Sequence, residues 1–331
     1  MASGAMRVYF TVDTETSMGG AWHNAAYSPL PLEKTVYGKC GSESYGIPLI
    51  MSILEEHGFR GTFFTEVFCA YNVGHEPVAA VLRLIQARGH DTQLHLHPEQ
   101  RFYRDYIQGG KRREESLMFT FPADEQGQLI REGISLFHQL SGKAPRAYRA
   151  GCYGASETTL TALRESGIEI DSSYNLAYLG NTCGFEQKPI NAPLMLAGIQ
   201  EFPVTVFRVS GVPGYKPLEI SAVSVTEIMD TIRSLQKTGV RDVVLVLHSF
   251  SLLKNAGIRY EHCRPDHLVI RRFQKLCRAL SEVRGEIEVR ALAEVEAGTP
   301  AVPQPQVIPA LSWGQPFLRK AAQSFNRLPW F

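Results

Sequence analysis

Short apolar runs alternate with stretches of helical periodicity along most of the chain. Runs rich in β-branched and aromatic residues predict eight strands, at residues 7–13, 61–68, 91–97, 147–149, 169–172, 200–209, 242–248 and 287–290. Apolar positions repeating every three to four residues predict helices at 46–57, 77–88, 124–140, 156–166, 224–238 and 265–283. This alternation is typical of an α/β protein with a mostly parallel sheet, and seven or eight strand–helix units favour a closed barrel.

The composition is that of a globular protein. Apolar residues make up 44% and charged residues 20% of the 331 residues, and the formal net charge of +1 gives no reason to expect a nucleic-acid partner. Six cysteines without a CxxC pair are interpreted as reduced thiols. There is no secretory signal and no apolar run of about 18 residues, so we expect no transmembrane helix and a cytoplasmic location, with Met6 as the native start.

Three long connections and a distinct tail interrupt the alternating pattern. Residues 14–44, 98–123 and 175–199 are predicted to be long loops, and two of them follow strands that end in titratable residues. The barrel domain is expected to span residues 7–298. Residues 299–331 would then comprise a Pro-rich linker to about 309 and an amphipathic segment at 316–331. That segment is either a terminal helix packed on the barrel or a basic segment at the inner face of a membrane.

The first strand ends in two carboxylates. Asp13 and Glu15 are two residues apart, so both side chains point to the same side of an extended chain. Carboxylates at the end of an apolar strand are costly to bury without a cation or another partner. The alternative is that these carboxylates only cap a loop.

A histidine pair ends the third predicted strand. His95 and His97 share one face, and two imidazoles aimed the same way are a common metal-binding arrangement. A hydrogen-bonded core histidine is the alternative for either one. His90 is five residues from His95, so it faces the other way and is predicted to be structural.

Two further strands deliver titratable groups to the same edge. His248 ends a continuous apolar run and could act as a general acid, or could be a satisfied core histidine. Arg149 ends another strand, with Asp171 as its expected partner. Gly151 and Gly154 follow Arg149 and would let backbone N–H groups approach a ligand, although a plain surface turn would look similar.

The order of these motifs resembles the polysaccharide deacetylase family, also called the NodB-homology carbohydrate esterases. The family's acidic, histidine, arginine, aspartate and late L-x-H motifs have counterparts here at residues 11–15 (TVDTE), 95–97 (HLH), 149–153 (RAGCY), 171–174 (DSSY) and 245–248 (LVLH). The sequence departs from the common pattern at several points. Thr14 replaces a second aspartate, the histidine spacing is two residues shorter, Gly151 replaces proline and Tyr174 replaces tryptophan.

The resemblance implies a distorted (β/α)7-8 barrel and a metal-dependent deacetylation site. His95, His97 and an acidic residue, either Glu15 or Asp13, would hold a divalent ion, with Zn²⁺ expected for N/O ligands. Asp13 would then act as general base and His248 as general acid. The backbone near Tyr153 would contact the oxyanion. Arg149 and Asp171 would support the base and the acid, and Glu66 is expected to be structural.

The implied substrate is an N-acetyl sugar of a surface polysaccharide, such as a lipopolysaccharide, or of its biosynthetic intermediate. Aromatic residues in the first two long loops would line the sugar cleft: Trp22, Tyr27, Tyr37, Tyr45, Phe102, Tyr103 and Tyr106. The first alternative is an amidohydrolase acting on a small, non-polymeric amide. The second is an inactive relative that only binds carbohydrate.

Overall fold

The computed structural model describes residues 5–186, 189–255, 257–296 and 303–312. The strands are β1 (Met6–Thr14), β2 (Lys39–Cys40), β3 (Glu43–Ser44), β4 (Thr62–Glu66), β5 (Asp91–Leu96), β6 (Ala147–Ala150), β7 (Ile170–Asp171), β8 (Leu194–Leu196), β9 (Ile199–Glu201), β10 (Val206–Val209), β11 (Lys216–Pro217), β12 (Asp242–His248), β13 (Leu253–Lys254), β14 (Arg264–Pro265), β15 (Ile287–Arg290) and β16 (Ala310–Leu311). The helices are α1 (Leu32–Thr35), α2 (Ile47–Glu55), α3 (Ala70–Val73), α4 (His75–Ala87), α5 (Pro98–Ile107), α6 (Ala123–Ser141), α7 (Glu157–Glu165), α8 (Val225–Lys237) and α9 (His267–Glu282).

The main sheet is parallel apart from one edge strand and curls into a barrel. Its order is β12-β1-β4-β5-β6-β7-β9-β8, with β15 also paired to β1 and β8 antiparallel to β9. Hydrogen bonds from residues 205 to 220 lead back to β12. Thr205 donates to Val244, and Glu219 forms a parallel bridge with Val246. The predicted (β/α)7-8 barrel is therefore confirmed.

Alternation along the strands separates two apolar layers. An inner cluster fills the barrel: Tyr9, Phe64, Ala147, Ile170, Phe202, Val244 and Leu292. The neighbouring residues Val8, Phe10 and Val12 point outward into the larger core between sheet and helices. Beyond this cluster, inner-face side chains at the carboxyl ends of the strands lie at one end of the barrel. We call this end the mouth.

Two predicted elements differ from the structure. The predicted loop 98–123 begins with helix α5, whose apolar face buries Phe102 and Tyr103. Pro98 at its first turn is compatible with a helix start. The predicted strand 200–209 is broken into β9 and β10, because Pro203 cannot donate a ladder hydrogen bond.

The C-terminal part of the described chain packs on the barrel. Gln304 accepts a hydrogen bond from the Arg241 N–H, Gln306 accepts from Asn191 and Ala192, and β16 pairs with β10. Residues 303–309 of the predicted linker are therefore fixed to the domain rather than acting as a free spacer. The predicted amphipathic segment at 316–331 lies outside the described residues, and the proposed boundary at residue 298 stays a prediction.

The expectation of six reduced thiols is wrong for one pair. Cys40 in the loop after β1 forms a disulfide with Cys263 in the loop after β12, across 223 residues of sequence. The partners could not be paired from the sequence, since they meet only through the fold. Disulfides persist in oxidising compartments, so this bond removes one argument for a cytoplasmic location.

The sequence predicts no transmembrane helix. In the parts of the chain that the structure describes, no helix combines the length and apolarity needed to cross a bilayer.

Candidate active site

Strand register brings the predicted site residues together at the mouth. Asp13 is the direct neighbour of His248 on the paired strands β1 and β12, and His95 is the neighbour of Arg149 on β5 and β6. The Nε2 atom of His248 lies 3.9 Å from Oδ2 of Asp13. Parallel pairing thus places four distant parts of the sequence at one edge.

Asp13 is held by a buried arginine. Nη1 of Arg149 donates to Oδ1 of Asp13 at 2.7 Å, and neither side chain is more than 5% exposed. The rest of the guanidinium donates to the backbone carbonyl and hydroxyl of Ser172, and it stacks over the ring of Phe64. The arginine therefore provides both the counter-charge and the orientation for Asp13.

Glu15 meets the two histidines beside this ion pair. Its Oε2 atom lies 3.0 Å from Nε2 of His95 and 2.7 Å from Nε2 of His97. One ligand atom from each of the three residues lies within 4.8 Å of the other two, an arrangement that could hold a metal ion. Of the two carboxylates left open by the sequence, the structure groups Glu15 with the histidines and Asp13 with Arg149.

The other ring nitrogens fix the orientation of both imidazoles. Nδ1 of His95 lies 2.7 Å from the backbone oxygen of Arg149, and Nδ1 of His97 lies 2.9 Å from Oε1 of Glu99. Both oxygens accept protons, so Nδ1 donates in each case and Nε2 is turned toward Glu15. Glu99, in the first turn of α5, was missed in the sequence because that segment was interpreted as a loop.

The ligand atoms of Glu15, His95 and His97 suit a cation. In a neutral imidazole protonated on Nδ1, Nε2 is an acceptor, and so is the Glu15 oxygen that it faces. Each contact therefore needs a proton or a metal ion between its two atoms. Burial lowers the pKa of His97, but the Glu99 and Glu15 carboxylates outweigh this and hold the pKa well above its ordinary value. Burial raises the pKa of Glu15, but the two imidazoles outweigh this and hold it well below its usual range.

The loop after β6 approaches the histidines closely. A Cβ atom on Gly151 would lie 2.7 Å from the His97 ring, which explains glycine at this position. The next two residues, Cys152 and Tyr153, have φ of 53° and 60°, a conformation that is rare for residues with a side chain. Such strain persists where the surroundings impose it, and it is concentrated at functional sites.

Asp171 does not make the expected contact with Arg149. Its carboxylate accepts hydrogen bonds from the N–H and hydroxyl of Ser173, and it lies beside Glu201 on the paired strands β7 and β9. Arg149 instead uses Ser172, the residue after Asp171. Asp171 therefore supports the segment that holds Arg149, and its catalytic role stays a prediction.

Two other titratable residues have structural contacts, as expected. Oε1 and Oε2 of Glu66 accept the N–H groups of Phe68 and Cys69 at 2.7 Å, which supports the turn leading into α3. His90 accepts from the Gly61 N–H and contacts Glu55, on the outside of the barrel.

The predicted aromatic lining is largely core. Trp22, Phe102 and Tyr103 are buried, and Trp22 packs edge-on against Tyr103 to join the first loop to α5. Among the seven aromatic residues named from the sequence, Tyr27 and Tyr106 are exposed by more than a third. On the other side of the mouth, the structure shows a pair that was not expected: Tyr178 stacks on Tyr153, with ring centroids 5.5 Å apart.

Comparison with solved structures defines the class of fold. A protein of Mycobacterium smegmatis, whose name assigns it to the polysaccharide deacetylases, superposes with a TM-score of 0.54 at 17% identity, over 93% of this chain and 97% of its own. The 4-alpha-glucanotransferase of Thermococcus litoralis superposes with a TM-score of 0.53 at 12% identity, and there the match spans 42% of that longer chain. No family model matches the sequence, and no curated protein matches it either.

The likeness to polysaccharide deacetylases predicted from the motifs is confirmed at the level of the fold. The chain is a distorted (β/α) barrel of the polysaccharide deacetylase type. At these identities the likeness shows the fold alone, and the two neighbours are named for different reactions. The chemistry must therefore be argued from the side chains at the mouth.

Proposed function

We propose that this protein is a metal-dependent hydrolase that removes N-acetyl groups from a sugar. The observation that carries the proposal is the convergence of three groups at one mouth: the Glu15–His95–His97 cluster, the Asp13–Arg149 pair, and His248. Amide hydrolysis at a metal site requires a metal ligand set, a base and an acid, and these groups can supply all three.

Glu15, His95 and His97 would hold the ion, and two nitrogen ligands with one carboxylate favour Zn²⁺. A divalent ion held there supplies Lewis-acid activation of water and of the acetyl carbonyl. Asp13, held by Arg149, accepts the proton of the attacking water. His248 donates a proton to the departing amine. A backbone N–H near Tyr153 would stabilise the oxygen that becomes negative during the attack.

An N-acetyl sugar of a surface polysaccharide, or of an intermediate in its synthesis, is the proposed substrate. Support comes from the shared fold of a protein named as a polysaccharide deacetylase and from exposed aromatic rings in the segments that follow β1, β5 and β7. Flat aromatic faces stack on the apolar faces of sugar rings.

Acetate release from N-acetylated sugars tests the proposal. The metal-loaded protein should release acetate, a chelator should abolish the release, and Zn²⁺ should restore it. Asp13→Asn should lower the rate by at least about 1000-fold, the upper range for loss of a general base. It should leave metal binding intact, because Asp13 lies outside the ligand cluster.

Glu165→Gln, an exposed change on the outer helix α7, is the matched control and should retain the wild-type rate. Chelator-insensitive release would refute the metal site. Stoichiometric metal binding without acetate release from any N-acetyl sugar would instead support the inactive, carbohydrate-binding alternative. Release from small acetamides only would support the amidohydrolase alternative.

A further inference from the structure

The mouth contains a carboxylate that the proposed reaction does not use. Glu219 bridges to Val246 on β12, two residues before His248. The residues on either side of it, Leu218 and Ile220, are buried in the outer core, so Glu219 faces the opposite way, into the barrel. The proposed acid His248 lies on the same inner face of β12 as Val246. Glu219, on the adjacent chain segment, therefore lies one inner-face position deeper in the barrel than His248.

This carboxylate is only lightly partnered. The Ser221 hydroxyl donates to Oε1 of Glu219 at 2.5 Å, and in the described part of the chain no cationic side chain lies within ion-pair distance. Asp13, by contrast, is neutralised by Arg149. Glu219 is partly exposed, so it presents negative charge and hydrogen-bond acceptors to whatever enters the mouth.

Two stacked tyrosines lie on the same part of the barrel mouth as this carboxylate. Tyr153 follows β6 and Tyr178 follows β7, and the segment that carries Glu219 comes next around the barrel, between β9 and β12. The rings of Tyr153 and Tyr178 are nearly parallel, at 15°, and 36% of Tyr178 is exposed. Burial raises the pKa of both hydroxyls, and the Glu219 carboxylate raises both further.

Tyr178 is held rigidly. Its N–H donates to the carbonyl of Asn175, and its own carbonyl accepts from Asn181 and Cys183. The ring face is therefore preformed, so a sugar that stacks on it meets little ordering cost. Aromatic face and hydrogen-bond acceptor together fit a sugar ring, with its apolar face on the tyrosine and its hydroxyl or ammonium groups on the carboxylate.

We propose that Tyr178 and Glu219 form a subsite for the sugar unit next to the acetylated one, and that the subsite sets specificity by charge. It accepts a neutral or amino-bearing ring and rejects a ring that carries a carboxylate, since like charges brought together without solvent repel strongly. This inference rests on the proposed function, because it takes the metal cluster as the reacting centre.

Binding of three tetrasaccharides to the metal-loaded protein tests the charge rule. The probes are an N-acetylglucosamine tetramer (neutral), a glucosamine tetramer (cationic) and a hyaluronan tetrasaccharide, in which N-acetylglucosamine alternates with glucuronate. Wild type should bind hyaluronan most weakly. Glu219→Gln should weaken the cationic probe about tenfold and tighten hyaluronan about tenfold, with the neutral probe nearly unchanged. Glu165→Gln should match wild type.

The stacking half of the subsite has its own variants. Tyr178→Ala should weaken all three probes by about fivefold, the size expected for one aromatic contact. Tyr178→Phe should bind like wild type, because the ring and not the hydroxyl makes the contact. Tyr215→Ala, at a residue of similar exposure (40%), is the control and should change nothing.

The outcomes separate this inference from the proposed function. Charge-dependent binding that requires Glu219, without acetate release, would support the subsite and refute the enzyme. Acetate release with Glu219→Gln indistinguishable from Glu165→Gln in all three affinities would overturn the subsite and leave the enzyme intact. Equal changes for all three probes, or no binding of any probe by wild type, would also overturn the charge rule.

Discussion

Two pairs of carboxyl groups lie at the ends of barrel strands, and they are stabilised in opposite ways. Asp13 and Glu15, at the end of β1, face cationic or proton-donating partners: Arg149 for the first, His95 and His97 for the second. Asp171 and Glu201, on β7 and β9, are both fully buried and face each other. Burial raises the pKa of both, and the Asp171 carboxylate raises that of Glu201 further.

The difference shows what makes a buried carboxylate available for chemistry. Oε2 of Glu201 has no donor among the described residues, so a proton shared with Asp171 would satisfy both groups. Arg149 provides the counter-charge for Asp13, and the two imidazoles face Glu15. Position at a strand end is therefore not sufficient to define the role of a carboxylate. Its partners distinguish a counter-charged carboxylate from one that needs a shared proton.

Removing the counter-charge is expected to have the largest effect. Arg149→Met leaves Asp13 buried without a cation, and breaking a buried pair in this way costs about 3–5 kcal/mol. We therefore expect the free energy of unfolding, measured with urea, to fall by that amount, together with the loss of acetate release. The substitution also removes the hydrogen bonds from Arg149 to Ser172, which contribute to the loss of stability.

The double variant Asp13→Asn/Arg149→Met separates charge from packing. If the uncompensated charge is the cause, the double variant should regain more than half of the lost stability, although it remains inactive. Equal stability of the single and double variants would contradict this account and assign the effect to the lost contacts of the arginine itself.

Removing the charge of Glu99, which orients the ligand His97, should have an intermediate effect on metal affinity. Glu99→Gln can still accept the Nδ1 proton of His97 but removes the charge that makes the imidazole more basic. We expect Zn²⁺ affinity, measured by competition with a chelator, to fall about 10- to 100-fold. Glu76→Gln, exposed in the first turn of α4, is the control. A change of less than about twofold for Glu99→Gln would contradict the assigned role.

The barrel and most site residues could be predicted because their signals are local. The strand 242–248 matches β12 residue for residue, since an apolar run ending in His248 is unmistakable in the sequence. The six predicted helices each match a helix of the structure to within about two residues, because helical periodicity and end signals are local as well. The family resemblance grouped the two histidines with either Glu15 or Asp13, and the structure places Glu15 beside them. The catalytic roles stay predictions.

The residues missed are those whose environment depends on long-range contacts. Glu99 was hidden because Pro98 and the polar run after it were interpreted as a loop. Glu219 follows a strand of two residues that has no periodicity of its own. The ring of Tyr178 is held in place by stacking on Tyr153, which lies 25 positions earlier in the sequence. Cys40 and Cys263 come together because they follow the paired strands β1 and β12, and no local pattern encodes that pairing.

The last expected effect concerns the buried Asp171–Glu201 pair, and it depends on pH. The pKa of Glu201 is raised in the folded state, so its contribution to stability is fully present below the pKa of an unfolded glutamate and is lost as pH rises through the folded value. Glu201→Gln can donate to Asp171 without a shared proton. The variant should therefore gain stability relative to wild type as pH rises above about 4.5, by at most about 1.4 kcal/mol per pH unit.

Urea unfolding of both proteins at pH 5, 6, 7 and 8 measures this difference. Their free energies of unfolding should diverge with increasing pH, with Glu201→Gln the more stable at pH 8. Glu288→Gln, at a partly exposed position of β15, should give a curve parallel to that of wild type. Parallel curves for Glu201→Gln as well would mean that Glu201 is ionised in the folded protein. The contrast between a proton-bridged pair and a counter-charged pair would then be wrong.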